Sequence, residues 1–149
     1  MTKEDKELLL KDLCARLPYG VVCHYNTAIP MIGEVINNGE LQKIKHKGES
    51  FVVNGADCLY DDIKPYLRSM SSMTEEEKYY LTTRIGFEID DETHKIGSCI
   101  DEDLNMPLFI DIDDIINLIE WLNSHHFDYR GLIEKGLALE APEGMYKIA

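Results

Sequence analysis

The chain has 149 residues, 44% of them hydrophobic and 29% charged, with a net charge of −13. Residues 74–149 carry 18 acids against 6 bases, so nearly all of the excess lies in the second half. Charge of that sign and size repels phosphate backbones and anionic membranes, and no apolar run approaches the length of a membrane span.

The N-terminus is charged and runs straight into a helical pattern. Thr2 with Asp5 imitates a capping box, and Leu9, Leu10, Leu13, Cys14 and Leu17 recur at helical spacing. Pro18 and Gly20 stop the pattern, so a helix is expected over about residues 3–16. A secretory leader would place an apolar stretch here, and the expectation is a cytoplasmic protein. From Val21 the period changes to that of strands. Asn38-Gly39 predicts a type I′ hairpin pairing Ile36 with Leu41 and Glu34 with Lys43. Lys47-Gly48 marks a second turn before Ser50–Val53. Residues 21–54 therefore read as an antiparallel meander of three or four strands, with the helix as its lid. Pro65 argues for a short turn that packs Ile63, Tyr66 and Leu67, and Ser69–Met73 reads as a linker.

Thr74 and Glu77 form a capping box for a helix reaching about Thr83. Ile85, Phe87 and Ile89 alternate, Asp90-Asp91-Glu92 suggests a turn, and Lys95–Ile100 supplies a returning strand. Residues 101–107 read as loop. Asp111 caps the next helix, whose Ile112, Ile115, Ile116, Ile119 and Leu122 form one apolar face widened by Leu118 and Trp121. That pattern predicts the most buried helix of the chain. Asp128 is placed to cap a last short helix over about 129–135, closed by Gly136, and Ala141-Pro142-Glu143-Gly144 to turn a C-terminal hairpin.

The expected fold is thus α+β. An N-terminal helix packed on an antiparallel β-meander (residues 1–68) precedes an acidic, mainly helical lobe (residues 74–149) that ends in a β-hairpin, the two lobes being two domains or one continuous unit. Cys14, Cys23, Cys58 and Cys99 have no metal-finger spacing and read as reduced thiols.

Three constellations carry candidate chemistry. Asp101-x-Asp103-x-Asn105 matches the opening of a calcium loop, but Met106 replaces the turn glycine and Ile112 the bidentate glutamate; with Asp111 and Asp113 it forms a looser carboxylate set for a divalent cation. His125, His126 and Asp128 suggest a hydrolase or zinc site, although adjacent helical residues point about 100° apart. No phosphate-binding glycine loop is present, and no cofactor is implied. The order helix, short helix, hairpin at the C-terminus resembles the tail of a winged-helix domain, an alternative reading as a regulatory DNA-binding protein. Its few basic residues argue for protein contacts instead.

The strings Leu10–Gly20, Asp62–Arg68, Met70–Glu77 and Trp121–Ile133 make the whole chain similar to a group of small uncharacterised proteins of gut Bacteroidales and their prophages. The resemblance implies a bacterial or phage cytoplasmic protein and no particular activity. The leading expectation is a non-enzymatic interaction or accessory protein. Tyr66, Trp121, Phe127 and Tyr129 are the candidate partner-binding aromatics, and the acids of residues 101–114 a docking surface for a protein with a basic surface. A small hydrolase using the His/Asp set is the remaining alternative.

Overall fold

The computed structural model describes residues 1–29, 33–101, 106–107 and 110–146. The Thr2 hydroxyl accepts the Asp5 N–H at 3.1 Å and starts helix α1 (Lys3–Arg16). A 3₁₀ turn over Leu17–Tyr19 carries Pro18 near its start, and Gly20, at φ +72°, reverses the chain. Leu9 and Leu13 are buried as the spacing predicts, but Cys14 is exposed. The rest of the inward stripe is Asp12 and Arg16, an ion pair that no apolar periodicity reveals.

Strands β1 (Val22–Ile29), β2 (Gly33–Lys45), β3 (Ser50–Val53), β4 (Ala56–Cys58), β5 (Ile63–Leu67) and β10 (Leu139–Glu140) form a six-stranded sheet in the order β10-β5-β1-β2-β3-β4. Every neighbouring pair is antiparallel except β10 with β5. The Asn38-Gly39 hairpin is not formed. Both residues lie inside β2, opposite His24 and Cys23, and neither has the positive φ that a type I′ turn demands. Ile36 pairs with Asn26 and Leu41 with Val53. Gly39 serves close approach instead: a Cβ there would stand 2.4–2.7 Å from the Asn54 side chain. The turn chemistry belongs to the second Asn-Gly pair. Asn54 and Gly55 have φ of 50° and 78° and join β3 to β4. The Lys47-Gly48 turn forms as expected before β3.

The turn expected around Pro65 is also replaced by a strand, since β5 pairs with β1 from Ile63 to Pro65. Its outer edge is paired with β10 only at Tyr66 and Leu67, and proline is tolerated in such edge-like positions. The linker at 69–73 contains a 3₁₀ turn, Met70–Ser72.

Helix α2 (Glu75–Tyr80) starts with the Thr74–Glu77 capping box and continues into a wider π-helical turn over Leu81–Ile85, closed by the Gly86 N–H on the Leu81 carbonyl. The hairpin of β6 (Phe87–Ile89) and β7 (Ile96–Ser98) pairs Ile89 with Ile96. The presumed loop at 101–107 is flanked by a short pairing of β8 (Ile100–Asp101) with β9 (Met106–Pro107). Helix α3 (Ile112–Ser124) is capped by Asp111 and Asp114 reciprocally, at 3.0 and 3.1 Å. No helix forms at 129–135. Gly131 at φ +74° interrupts it, and the Asp128 carboxylate instead closes a turn by accepting the Leu132 and Ile133 N–H groups at 2.8 and 3.0 Å. Beyond Gly136 the chain enters β10 beside β5, and the Met145 N–H closes a turn on the Pro142 carbonyl. The far arm of the expected hairpin runs into residues 147–149, outside the described residues.

Two cores result. The first joins Leu9 and Leu13 of α1 to the inner sheet face and also takes in Leu132, Leu137 and Ala138. The second gathers Met73, Leu81, Phe87, Leu118, Trp121, Leu122 and Phe127. Between them Asp12 accepts Arg16 Nε at 2.8 Å and Arg130 Nη1 at 3.1 Å, while Arg16 Nη2 donates to the Phe127 carbonyl at 2.5 Å. This charged joint ties α1 to residues 127–130.

Candidate partner-binding site

Helix α3 carries two apolar stripes. Leu118, Trp121 and Leu122 turn into the second core. Ile112, Ile115, Ile116 and Ile119 repeat at i, i+3, i+4 and i+7 beside them. Ile119 packs against the core, but Ile112 is 72% exposed, Ile115 49% and Ile116 47%. The apolar face expected to make this the most buried helix is exposed over its first two turns, where the helix extends past the core. Asp111 and Asp113 are exposed at the same end. No Lys or Arg occurs in the sequence between Lys95 and Arg130, so this apolar stripe has only acids as charged neighbours along its helix.

On the Trp121 side lies a cleft of about 510 Å³ lined by Arg68, Thr74, Glu76, Glu77, Tyr80, Trp121 and His125. The half-exposed Tyr80 ring lies nearly parallel to Trp121, centroids 6.1 Å apart, and Trp121 contacts His125 at 4.7 Å and Phe127 at 5.7 Å. Arg68 caps the aromatic group with its guanidinium 4.2 Å from the Phe127 ring centroid. Both its Nη atoms donate to the Glu77 carboxylate at 2.7 Å. Burial alone would raise the Glu77 carboxyl, but the Arg68 guanidinium and the Thr74 N–H outweigh it and hold the group below its ordinary value.

The four aromatics named from sequence have different surroundings. Tyr66 is half-buried on the sheet, its hydroxyl bonded to Asn38 Oδ1 at 3.1 Å. Trp121 is 8% exposed and reaches the cleft, whereas Phe127 is wholly enclosed. Tyr129 lies against the charged joint, 4.7 Å from the Arg130 guanidinium and 5.4 Å from that of Arg16, with its hydroxyl on Asn123 Oδ1.

His125, His126 and Asp128 do not converge. The His125 Nδ1 is 3.0 Å from the Trp121 carbonyl. The buried His126 ring stacks on Tyr146 at 3.6 Å, and both Asp128 oxygens are occupied by backbone N–H groups. Burial, with Arg16, His125 and Arg68 adding repulsion, pulls His126 down to about 4, so the imidazole is neutral near pH 7. A nucleophile or metal shared by the three has no common point to occupy.

Of the acidic candidates, Asp103 and Asn105 lie outside the described residues, as do Glu102 and Leu104. Asp101 is in β8, and Asp111 is engaged in capping α3. Among the described residues no group of three or more His, Cys, Asp or Glu is placed to hold a metal ion, and no helix is long and apolar enough to cross a membrane. The helix and hairpin of a winged-helix tail are replaced, among the described residues, by the turns at 129–136 and the parallel β10.

Comparison with protein-family models, curated proteins and solved structures finds no match. The site consequently rests on geometry alone. No motif marks Arg68, Glu76 or Tyr80 as cleft residues, although the Thr74–Glu77 capping box fixes Glu76 and Tyr80 as i, i+4 neighbours on α2.

Proposed function

We propose that the protein is a non-enzymatic interaction protein, a bacterial or phage accessory factor of the cytoplasm, that docks a protein partner on the first two turns of α3. The observation that supports this reading is the stripe Ile112, Ile115 and Ile116, exposed on a helix whose neighbouring charges are acids. Isoleucines three and four residues apart fit an amphipathic helix or groove laid across them. Asp111 and Asp113 select a partner whose rim is basic, through steering and through rejection of acidic competitors.

Two synthetic amphipathic helices with the same leucine face, one rimmed by lysine and one by glutamate, test this. The lysine-rimmed helix is expected to bind, to weaken with salt, and to lose at least about tenfold in affinity to an Ile112→Asn/Ile116→Asn double variant. Equal binding of both helices, or binding unaffected by the double variant, would refute the assignment.

A further inference from the structure

The cleft on the Trp121 side of α3 is separate from the isoleucine stripe, and the one cation in its lining, Arg68, is already paired. Two of the cleft's donors are spent internally: Arg68 is held by Glu77 and also reaches the His125 and Ser72 carbonyls, and the Thr74 N–H is bonded to Glu77. The carboxylate left open is that of Glu76. Glu76 makes no ion pair among the described residues. His125 Nδ1 is engaged by the Trp121 carbonyl at 3.0 Å and by Ser124 Oγ at 3.1 Å, and with the proton on Nδ1 the other ring nitrogen, Nε2, is an acceptor.

Tyr80, 46% exposed, offers one ring face, and Glu76 stands four residues before it on the same helix face. The aromatic group beneath already accommodates one guanidinium, that of Arg68 over Phe127. A carboxylate beside an open aromatic face, in a cavity large enough for one long side chain, suits a donor-rich organic cation and repels anions.

We propose that this cleft is a binding site for the ammonium or guanidinium group of a lysine or arginine side chain, seated between Tyr80 and Glu76 with Trp121 and His125 as its floor. The proposal is independent of docking on the isoleucines. Trp121 is the chain's only tryptophan, so its indole N–H gives a single NMR reporter. Nα-acetyl-arginine methylamide and Nα-acetyl-lysine methylamide are expected to shift that resonance saturably, and the uncharged Nα-acetyl-glutamine methylamide to leave it in place. Glu76→Gln and Tyr80→Ala, both at exposed positions, should each weaken the response about fivefold to tenfold. Ile112→Asn/Ile116→Asn should leave it unchanged, which separates this site from the docking stripe. No saturable shift, an equal response to the glutamine compound, or insensitivity to both cleft variants would overturn the proposal.

Discussion

Arg68 and Glu77 show how much a single pair does here. The carboxylate caps α2 through the Thr74 N–H and receives both guanidinium Nη groups, so Glu77→Ala removes a cap and strands a mostly buried cation. Urea denaturation at pH 7 should show a loss of about 3 kcal/mol for Glu77→Ala and a smaller loss for Glu77→Gln, which keeps an acceptor for Thr74. Acidity acts on two residues in the same direction. The depressed Glu77 carboxyl contributes stability above the ordinary carboxylate range that is lost as pH falls through its folded value. His126 stays neutral in the fold down to about pH 4 while the unfolded chain protonates it near 6.5, so the unfolded state holds the extra proton between these values. Stability should therefore rise with pH across that window, and His126→Asn, which tolerates the local φ of +63°, should flatten the slope by up to about 1.4 kcal/mol per pH unit. The sequence offers His126 as a catalytic or zinc candidate and Glu77 as a cap, and in neither case the tertiary role that the fold gives it. The partners that define those roles, Arg68 at a preceding strand end and Tyr146 twenty residues on, lie outside any local pattern.

Among the elements, those fixed by local chemistry were readable: α1 from Thr2 and its leucines, α2 and α3 from their caps, and the β6–β7 hairpin from alternation. The two Asn-Gly pairs mark where local chemistry stops deciding. Identical dipeptides lie mid-strand at 38–39 and in a turn at 54–55, because the long pairing of β1 with β2 overrides the first. Their glycines should respond differently to alanine. Gly55→Ala meets no atoms and suffers only its positive φ, about 1 kcal/mol. Gly39→Ala collides with the Asn54 side chain, so adding Asn54→Gly should recover part of its loss. A double-mutant cycle by chemical denaturation will show this as a coupling of about 1 kcal/mol, against near-additivity for Gly55→Ala with Asn26→Ala, whose positions share no pairing. For α3, periodicity located the apolar face but not its end-to-end burial. A hydrophobic stripe records what can be covered, and where the core stops depends on tertiary packing that the spacing of Ile112 and Ile119 does not encode.

At the scale of the molecule, the charged joint is the connection that sequence patterns hide. Asp12 balances Arg16, which is fully buried, and Arg130, which is not. Asp12→Asn should destabilise the protein by about 3–5 kcal/mol, since Arg16 is left as an uncompensated interior cation, whereas Arg130→Ala should lose roughly 1 kcal/mol or less. Thermal or urea unfolding followed by circular dichroism distinguishes the two. Along the chain the first core gives way to the second between Leu67 and Met73, but residues 132–140 return to the first. That return has a temporal consequence. During synthesis, α1 and β1 to β5 emerge well before Leu132, Leu137 and β10, so the opening half waits, with Arg16 lacking its Phe127 carbonyl, until residues 127–140 follow. Arrival of this returning segment, and not emergence of the early helix and strands, then sets the moment at which the first core becomes resistant to proteases.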